Sequence, residues 1–226
     1  MKSTLYIVST PIGNYDDITL RALKVLRDVD FIICEEFKPA RRLLSEYSIE
    51  KELFSINEHN EKEEAPQIVE KLLSGNCAAL ISDGGTPLFS DPGHYLVQMC
   101  IASGIKIIPI PGANSLLPAL VCSGLDTEKF YYYGWLSPKK ELRRKELLKL
   151  KSQNELLVFL ETPYRLKSLL ADFVKIYGYD KQCVLAYKLT MADEEIFRGK
   201  VGEILKICEK RNLKGEFVFL LDNRGK

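Results

Sequence analysis

Residues Cys77 to Gly93, CAALISDGGTPLFSDPG, decide how the rest of the chain is read. Ala78 to Ile81 is a short apolar run of the kind that forms a buried strand. The chain then enters a segment with three glycines, two prolines and two aspartates. Gly84 and Gly85 let the backbone turn sharply and come close to a ligand with no β-carbon in the way. Pro87 and Pro92 stiffen the remainder of the segment, and Asp83 and Asp91 set carboxylates just past the strand. Ligands of open α/β sheets bind outside the carboxyl ends of the strands. The segment is therefore expected to be a ligand loop with Asp83, Gly84, Gly85 and Pro87 at its centre; the plainer alternative is a surface turn.

Working outward, the same pattern of strand followed by special loop recurs. Leu5 to Ser9 reads as a strand that stops at Thr10-Pro11-Ile12-Gly13-Asn14. Asp30 to Cys34 runs into Glu35-Glu36, and Ile105 to Ile110 into Pro111-Gly112-Ala113-Asn114. Phe54 to Ile56 is a shorter strand ahead of Asn57-Glu58-His59-Asn60-Glu61. Helices fall between them. Asp16 or Asp17 can cap one that carries Leu20, Leu23 and Leu26 on one face, and Arg41 to Tyr47 is a short basic one. Pro66 suits the first turn of a helix that turns Ile68, Val69, Leu72 and Leu73 inward and ends at Gly75. Tyr95 to Ser103 forms another, stopped by Gly104. This alternation predicts a mostly parallel sheet with helices on its faces, and it brings the TPIGN, CEE, SDGGTP and PGAN loops to one edge.

Downstream the character changes. Ser115 to Ser123 reads as a helix bounded by Gly112 and Gly124. Phe130 to Trp135 is aromatic and extended, and Lys139 to Lys151 is a strongly basic helix. Leu156 to Leu160, Cys183 to Tyr187, Glu195 to Arg198 and Glu216 to Leu221 read as strands. Helices from Leu166 to Tyr177 and near Gly202 to Lys210 separate some of them. The spacing predicts a mixed sheet. The fold class is α/β, with two small domains: residues 1–112, carrying the glycine loop and the acceptor side, and residues 113–226.

Composition excludes several classes of function. The 226 residues carry a formal charge of +1, so no global field points to nucleic acid or a membrane, and any RNA contact must come from a local basic patch. The six cysteines form no C-x-x-C and several sit in apolar runs, as expected of reduced, buried thiols in a cytoplasmic protein. With only His59 and His94, a His/Cys metal site is not expected. The N-terminal segment lacks a signal-peptide core, and no run reaches the roughly 18 apolar residues of a membrane span. No G-x-G-x-x-G follows the first strand, which argues against a Rossmann-type methyltransferase or dehydrogenase.

Taken together, LYIVSTPIGNYDDITLRALKVL, NEHNE, SDGGTPLFSDPG, IPIPGANS, GWLSPKK, LETPYRL, the KLT segment and KGEFVFLL resemble the tetrapyrrole methylase superfamily over nearly the whole chain. Within it the chain is similar to the ribosomal RNA small subunit methyltransferase I family, which methylates the 2′-hydroxyl of a cytidine in 16S rRNA. The resemblance implies S-adenosyl-L-methionine as methyl donor, a cleft between two α/β domains that holds it, no metal, a homodimer, and 16S rRNA or the small ribosomal subunit as partner. It also places Pro11, Asp83, Gly85, Asn114, Ser115, Thr162, Leu189, Thr190 and Gly215 around the donor. The chain departs from the family where Glu35-Glu36 is followed by Phe37-Lys38-Pro39-Ala40 instead of Thr-Arg-His-Thr. It departs again at Tyr187-Lys188-Leu189-Thr190-Met191, and at Thr162-Pro163-Tyr164-Arg165.

Methyl transfer from a sulfonium needs alignment and exclusion of water rather than a nucleophilic residue. A ribose hydroxyl is a weak acid, so a general base or polarising group helps. Glu35, Glu36 and His59 are the candidates at strand ends. Lys139 to Lys151 and Arg41-Arg42 could contact phosphates, and Tyr132, Tyr133 or Trp135 could stack on a base. Methylation of a small molecule such as a tetrapyrrole precursor, and a catalytically silent RNA- or cofactor-binding homologue, are alternatives the residues leave open.

Overall fold

The computed structural model describes residues 3–89 and 91–225, so Ser90 of the glycine loop lies outside the described residues. The chain divides into two compact units, Met1–Asn114 and Ser115–Lys226.

In the first unit the elements run β1 (Thr4–Val8), α1 (Leu20–Asp28), β2 (Phe31–Cys34), α2 (Phe37–Glu46), β3 (Glu52–Ser55), α3 (Glu61–Leu73), β4 (Cys77–Ile81), α4 (His94–Ala102) and β5 (Lys106–Ile110). The strands form one sheet in the order β3-β2-β4-β1-β5, every pair parallel. All residues of β2 and β4 are buried, as befits central parallel strands covered on both faces. Successive side chains point to opposite faces. Leu5, Ile7 and Leu80 therefore pack against Ile68 and Leu72 of α3 and Leu96 of α4. Val8, Ala79 and Ile81 meet Leu26 of α1 and Leu43 and Leu44 of α2 on the other side. Each fully buried side chain of this size contributes about 1.5–3 kcal/mol.

Several expected details are corrected. Asn14 accepts a hydrogen bond from the Asp16 amide and winds Tyr15–Asp17 into a single 3-10 turn, so neither Asp16 nor Asp17 caps α1. Thr19 does, accepting from the Ala22 amide at 3.0 Å. The helix thus begins at Leu20, which is 86% exposed instead of sharing the buried face of Leu26. Helix α2 starts at Phe37, four residues earlier than Arg41. Helix α3 starts at Glu61, which puts Pro66 inside the helix beyond its first turn, and Leu73 faces outward at its end.

The second unit contains α5 (Leu116–Val121), β6 (Phe130–Trp135), α6 (Lys140–Leu150), β7 (Leu156–Glu161), α7 (Leu166–Tyr177), β8 (Gln182–Tyr187), β9 (Glu195–Lys200), α8 (Val201–Lys210) and β10 (Phe217–Asp222). Its sheet has the order β6-β7-β10-β8-β9; β6 and β7 are parallel and the remaining pairs antiparallel. Phe159, Phe173 and Phe219 form the centre of the core, with ring centroids 5.1 Å and 4.7 Å apart for the first and last of these with Phe173. Helices α6 and α7 are tied by a buried ion triad: Arg143 reaches Asp172 at 2.7 Å and Arg144 reaches the other carboxylate oxygen at 2.7 Å. Two cations of the basic helix are therefore committed to the interior and are not available to a phosphate.

Cys34, Cys77, Cys100, Cys183 and Cys208 are buried free thiols, whereas Cys122 is exposed. Burial pushes the Cys34 thiol up to about 12, with the Asp83 carboxylate adding to the shift. Among the described residues no helix is long and apolar enough to cross a membrane.

Candidate functional site

Parallel pairing carries the ends of β1, β2, β4 and β5 to one edge of the first sheet, and the loops beyond those ends are joined there by specific bonds. The Thr10 amide donates to the Gly85 carbonyl at 2.8 Å, and the Gly85 amide donates back to Thr10 at 3.0 Å. The Thr10 hydroxyl donates to the Ser82 carbonyl at 3.2 Å. Thr86 extends the join to the third loop: its hydroxyl lies 2.9 Å from that of Ser9 and 3.5 Å from the Ala113 carbonyl. Gly112 permits the approach, because a β-carbon there would sit 3.0 Å from that of Ser9.

The two central glycines differ. Gly85 adopts φ +93°, and its missing β-carbon would meet Ile12 Cγ2 at 3.3 Å. Its amide and carbonyl are both engaged by Thr10, so it is a structural hinge of the ledge. Gly84 is exposed and carries the backbone that faces outward. Pro11 and Pro87 are buried beside them, so the ledge is rigid and poor in side chains. Asn114 is half-buried in the loop after β5.

Around this ledge stand three carboxyl groups whose titration is raised. Glu35, half-buried beyond β2, is pushed up by burial and by the charges of Asp83, Asp91, Glu36 and Glu58. Burial raises Asp83 as well, opposed by a hydrogen bond from the Glu36 amide. Asp91 is raised by burial and by Asp83, opposed by a bond from Ser82. Glu35, Ser82, Pro87 and Asp91 line a cavity of about 10 Å³, room for about one water. Glu36 occupies the N-cap position of α2 without a side-chain capping bond and is exposed. The structure thus brings Glu35, Glu36, Pro11, Asp83, Gly84, Gly85 and Pro87 together.

His59 has a different setting. Asn57 accepts from the amides of His59 and Asn60, and Asn60 accepts from the Asn57 amide and donates to the Ser55 carbonyl. Glu61 accepts from the Tyr95 and Leu96 amides at 2.7 and 3.2 Å, capping the start of α4. The NEHNE segment is therefore a self-bonded turn that fastens one helix, and the His59 ring, 85% exposed, points outward beside Glu58 at 3.4 Å.

The remaining candidates lie in the second unit. Ser115 occupies the N-cap position of α5, its carbonyl accepting from the Ala119 amide. Leu189 is buried between Lys188 and Thr190, which adopt φ +51° and +67°. Left-handed backbone at non-glycine residues persists where surroundings enforce it, and it gathers at functional sites. Here the Lys188 amide donates to the Glu216 carbonyl at 2.8 Å, and the Thr190 amide donates to Glu194 at 2.6 Å. Gly215 lies under this turn: a β-carbon would fall 2.5 Å from Lys188 Cε and 2.8 Å from the Tyr187 hydroxyl. Thr162 comes directly after Glu161, which is buried and accepts from the Thr162 amide at 2.7 Å and from the Arg165 guanidinium. The second carboxylate oxygen of Glu161 has no hydrogen-bond partner.

Sequence reasoning missed the Ser9–Thr86–Ala113 staple and the Glu161–Arg165 pair. The staple needs three distant loops and leaves no local pattern; the pair is an i, i+4 Glu–Arg spacing that could have been read as a lock on the turn between them.

Residues 4–205 match the family model described as Tetrapyrrole (Corrin/Porphyrin) Methylases. The chain is 42% identical over 220 residues to the ribosomal RNA small subunit methyltransferase I of Thermotoga maritima, covering 97% of this chain and 98% of that protein. It is 39% identical over 224 residues to the protein of the same name from Halalkalibacterium halodurans, covering 99% and 77% of the two chains. Among solved structures, a diphthine synthase superposes with a TM-score of 0.75 at 15% identity, covering 97% of this chain and 89% of the other. A cobalt precorrin-4 methyltransferase superposes at 0.73 with 17% identity, covering 97% and 95%. Those two likenesses speak for the fold.

Proposed function

The chain belongs to the tetrapyrrole methylase family and is a methyltransferase, and from that premise we propose that it transfers a methyl group from S-adenosyl-L-methionine to small-subunit ribosomal RNA, at the 2′-hydroxyl of a cytidine in 16S rRNA. The observation that carries the proposal is the ledge built by the reciprocal Thr10–Gly85 bonds at the carboxyl edge of a parallel sheet. The residues present fit such a donor. Its sulfonium and ammonium are cationic and suit an edge bearing Glu35, Asp83 and Asp91, and the exposed backbone of Gly84 permits close approach. When bound, the donor supplies an activated methyl group for in-line displacement. The protein's part is to hold and orient, and the residues proposed for it are Pro11, Asp83, Gly84, Gly85, Pro87, Asn114, Ser115, Thr162, Leu189, Thr190 and Gly215. Glu35 or Glu36 takes the hydroxyl proton, since both stand beside Asp83, with His59 on its exposed turn the third candidate. The same reading makes the protein a cytoplasmic homodimer, which light scattering tests directly.

Tritiated methyl transfer onto small ribosomal subunits from a methylation-deficient strain tests the proposal. Label in the RNA supports it. Label confined to small molecules, or none despite intact donor binding, overturns the substrate assignment. Glu36→Gln is expected to lower turnover more than donor affinity; equal losses in both would reassign Glu36 to folding.

A further inference from the structure

Beside the ledge lies a pocket of about 310 Å³ that shares Pro11 and Asp83 with the candidate donor site and adds residues which that site does not use. Its walls come from the loop after β1, from α2, and from Asp83. Thr10 and Pro11 form a buried floor, held by the reciprocal Gly85 bonds. Tyr15 stands at one side, its ring perpendicular to that of Tyr47 with centroids 6.3 Å apart and its carbonyl taken by the Tyr47 hydroxyl. Lys38 and Arg42 stand on the helix wall, one turn apart and hence on one face of α2. Among the described residues neither has an ion-pair or hydrogen-bond partner, although both are exposed. Arg41, by contrast, lies over the Phe37 ring at 5.4 Å and outside this lining.

We propose that this pocket holds the nucleotide of a single-stranded RNA acceptor, with its phosphodiester on Lys38 and Arg42 and its base against Tyr15. The inference rests on the RNA reading of the proposed function and adds where the strand is gripped. The volume falls at the lower end for a small-ligand site and admits one nucleotide. Two unpaired cations on a helix face match a phosphate, and an aromatic ring on the pocket wall is a stacking partner for a base. Asp83 adds a carboxylate that accepts from a sugar hydroxyl. The methyl donor carries no phosphate, so it leaves the paired cations without a purpose. This site lies on α2, whereas the basic run Lys139 to Lys151 has two of its guanidinium groups tied to Asp172.

The test is the double variant Lys38→Ala, Arg42→Ala, with wild type alongside. Methyl transfer onto small subunits is measured against subunit concentration at several salt concentrations, donor binding is measured by calorimetry, and folding by thermal melting. The expected result is a KM for subunits raised about tenfold or more, with kcat changed little. The dependence of log affinity on log salt should flatten by about 0.7, the share of one single-strand phosphate. Donor affinity and melting temperature should stay within error, since both residues are exposed. Donor affinity falling while the KM for subunits holds would assign the pocket to the donor and overturn the inference. Unchanged values throughout would make it an idle surface and overturn it equally. Failure of the wild type to label RNA would overturn the substrate assignment and this inference together, whereas either preceding result, obtained with an active wild type, overturns the inference alone.

Discussion

Replacing Gly85 with alanine isolates the geometry on which the ledge depends. At φ +93° a residue with a β-carbon is strained by about 1–2 kcal/mol. The new β-carbon would also approach Ile12 Cγ2 to 3.3 Å, so that half-buried side chain must yield by a few tenths of an ångström. The loop can escape both penalties by rotating Gly85 into the ordinary region, which breaks its two bonds to Thr10, together about 1–3 kcal/mol. The two routes are close in energy, and the sheet behind the loop has no part in the second. The variant should therefore stay folded, with a melting temperature lowered by about 2–8 °C at about 2–4 °C per kcal/mol, while donor affinity in calorimetry falls tenfold or more. Gly85→Asn should recover part of that loss, because asparagine enters left-handed backbone more readily than alanine. Full donor affinity and an unchanged melting temperature in Gly85→Ala would refute the reasoning, since the ledge would then tolerate the conformation it is said to forbid.

Buried charge leads to two further outcomes. Asp172→Asn leaves Arg143, only 3% exposed, as an uncompensated buried cation, so unfolding free energy from denaturant titration should fall by about 3–5 kcal/mol; Asp172→Asn with Arg143→Met should restore much of it. At the ledge, Glu35, Asp83 and Asp91 are raised by burial and by neighbouring carboxylates, so the folded state binds protons more tightly than the unfolded chain. Their destabilising contribution is absent below the unfolded carboxylate range and grows as pH rises through it to the raised values. Asp91→Asn should therefore stabilise the protein at neutral pH and not at strongly acid pH; a variant less stable at neutral pH by melting would contradict this.

Much of the architecture was legible because parallel strands buried on both faces read as short apolar runs, as Ala78 to Ile81 does, and because proline, glycine and asparagine mark where they stop. Helix starts were harder. Asp16, Asp17 and Thr19 are all acceptable caps, and the choice fell to Thr19 because Asn14 had already drawn the aspartates into a tighter turn. The inward reading of Leu20 and Leu73 failed at helix ends: Leu20 is the first residue of α1 and Leu73 the last of α3, and both are exposed. The grouping of the first unit's candidates came from topology, since strand ends of a parallel sheet must assemble. His59 could not be placed, because a polar turn gives no hint of which side chains are consumed in building it. The buried state of Arg143 was hidden for the opposite reason: a run of lysines and arginines reads as solvated, and the partner that draws two of them inward is 29 residues away.

The register of β1 has a consequence for synthesis. This strand, early in the chain, takes its sheet partners from β4 and β5, with Thr4 opposite Cys77 on one side and Lys106 on the other. As translation proceeds from the amino end, residues 4–8 emerge with no neighbour to join until residues 77–81 have been made, and their second flank stays open until residue 110 is out. Meanwhile β2 and β3 can associate across a short interval. The apolar TLYIV segment must therefore wait, with both edges bare, through most of the first unit's elongation. Of the first unit's strands it is the one that waits longest for a partner.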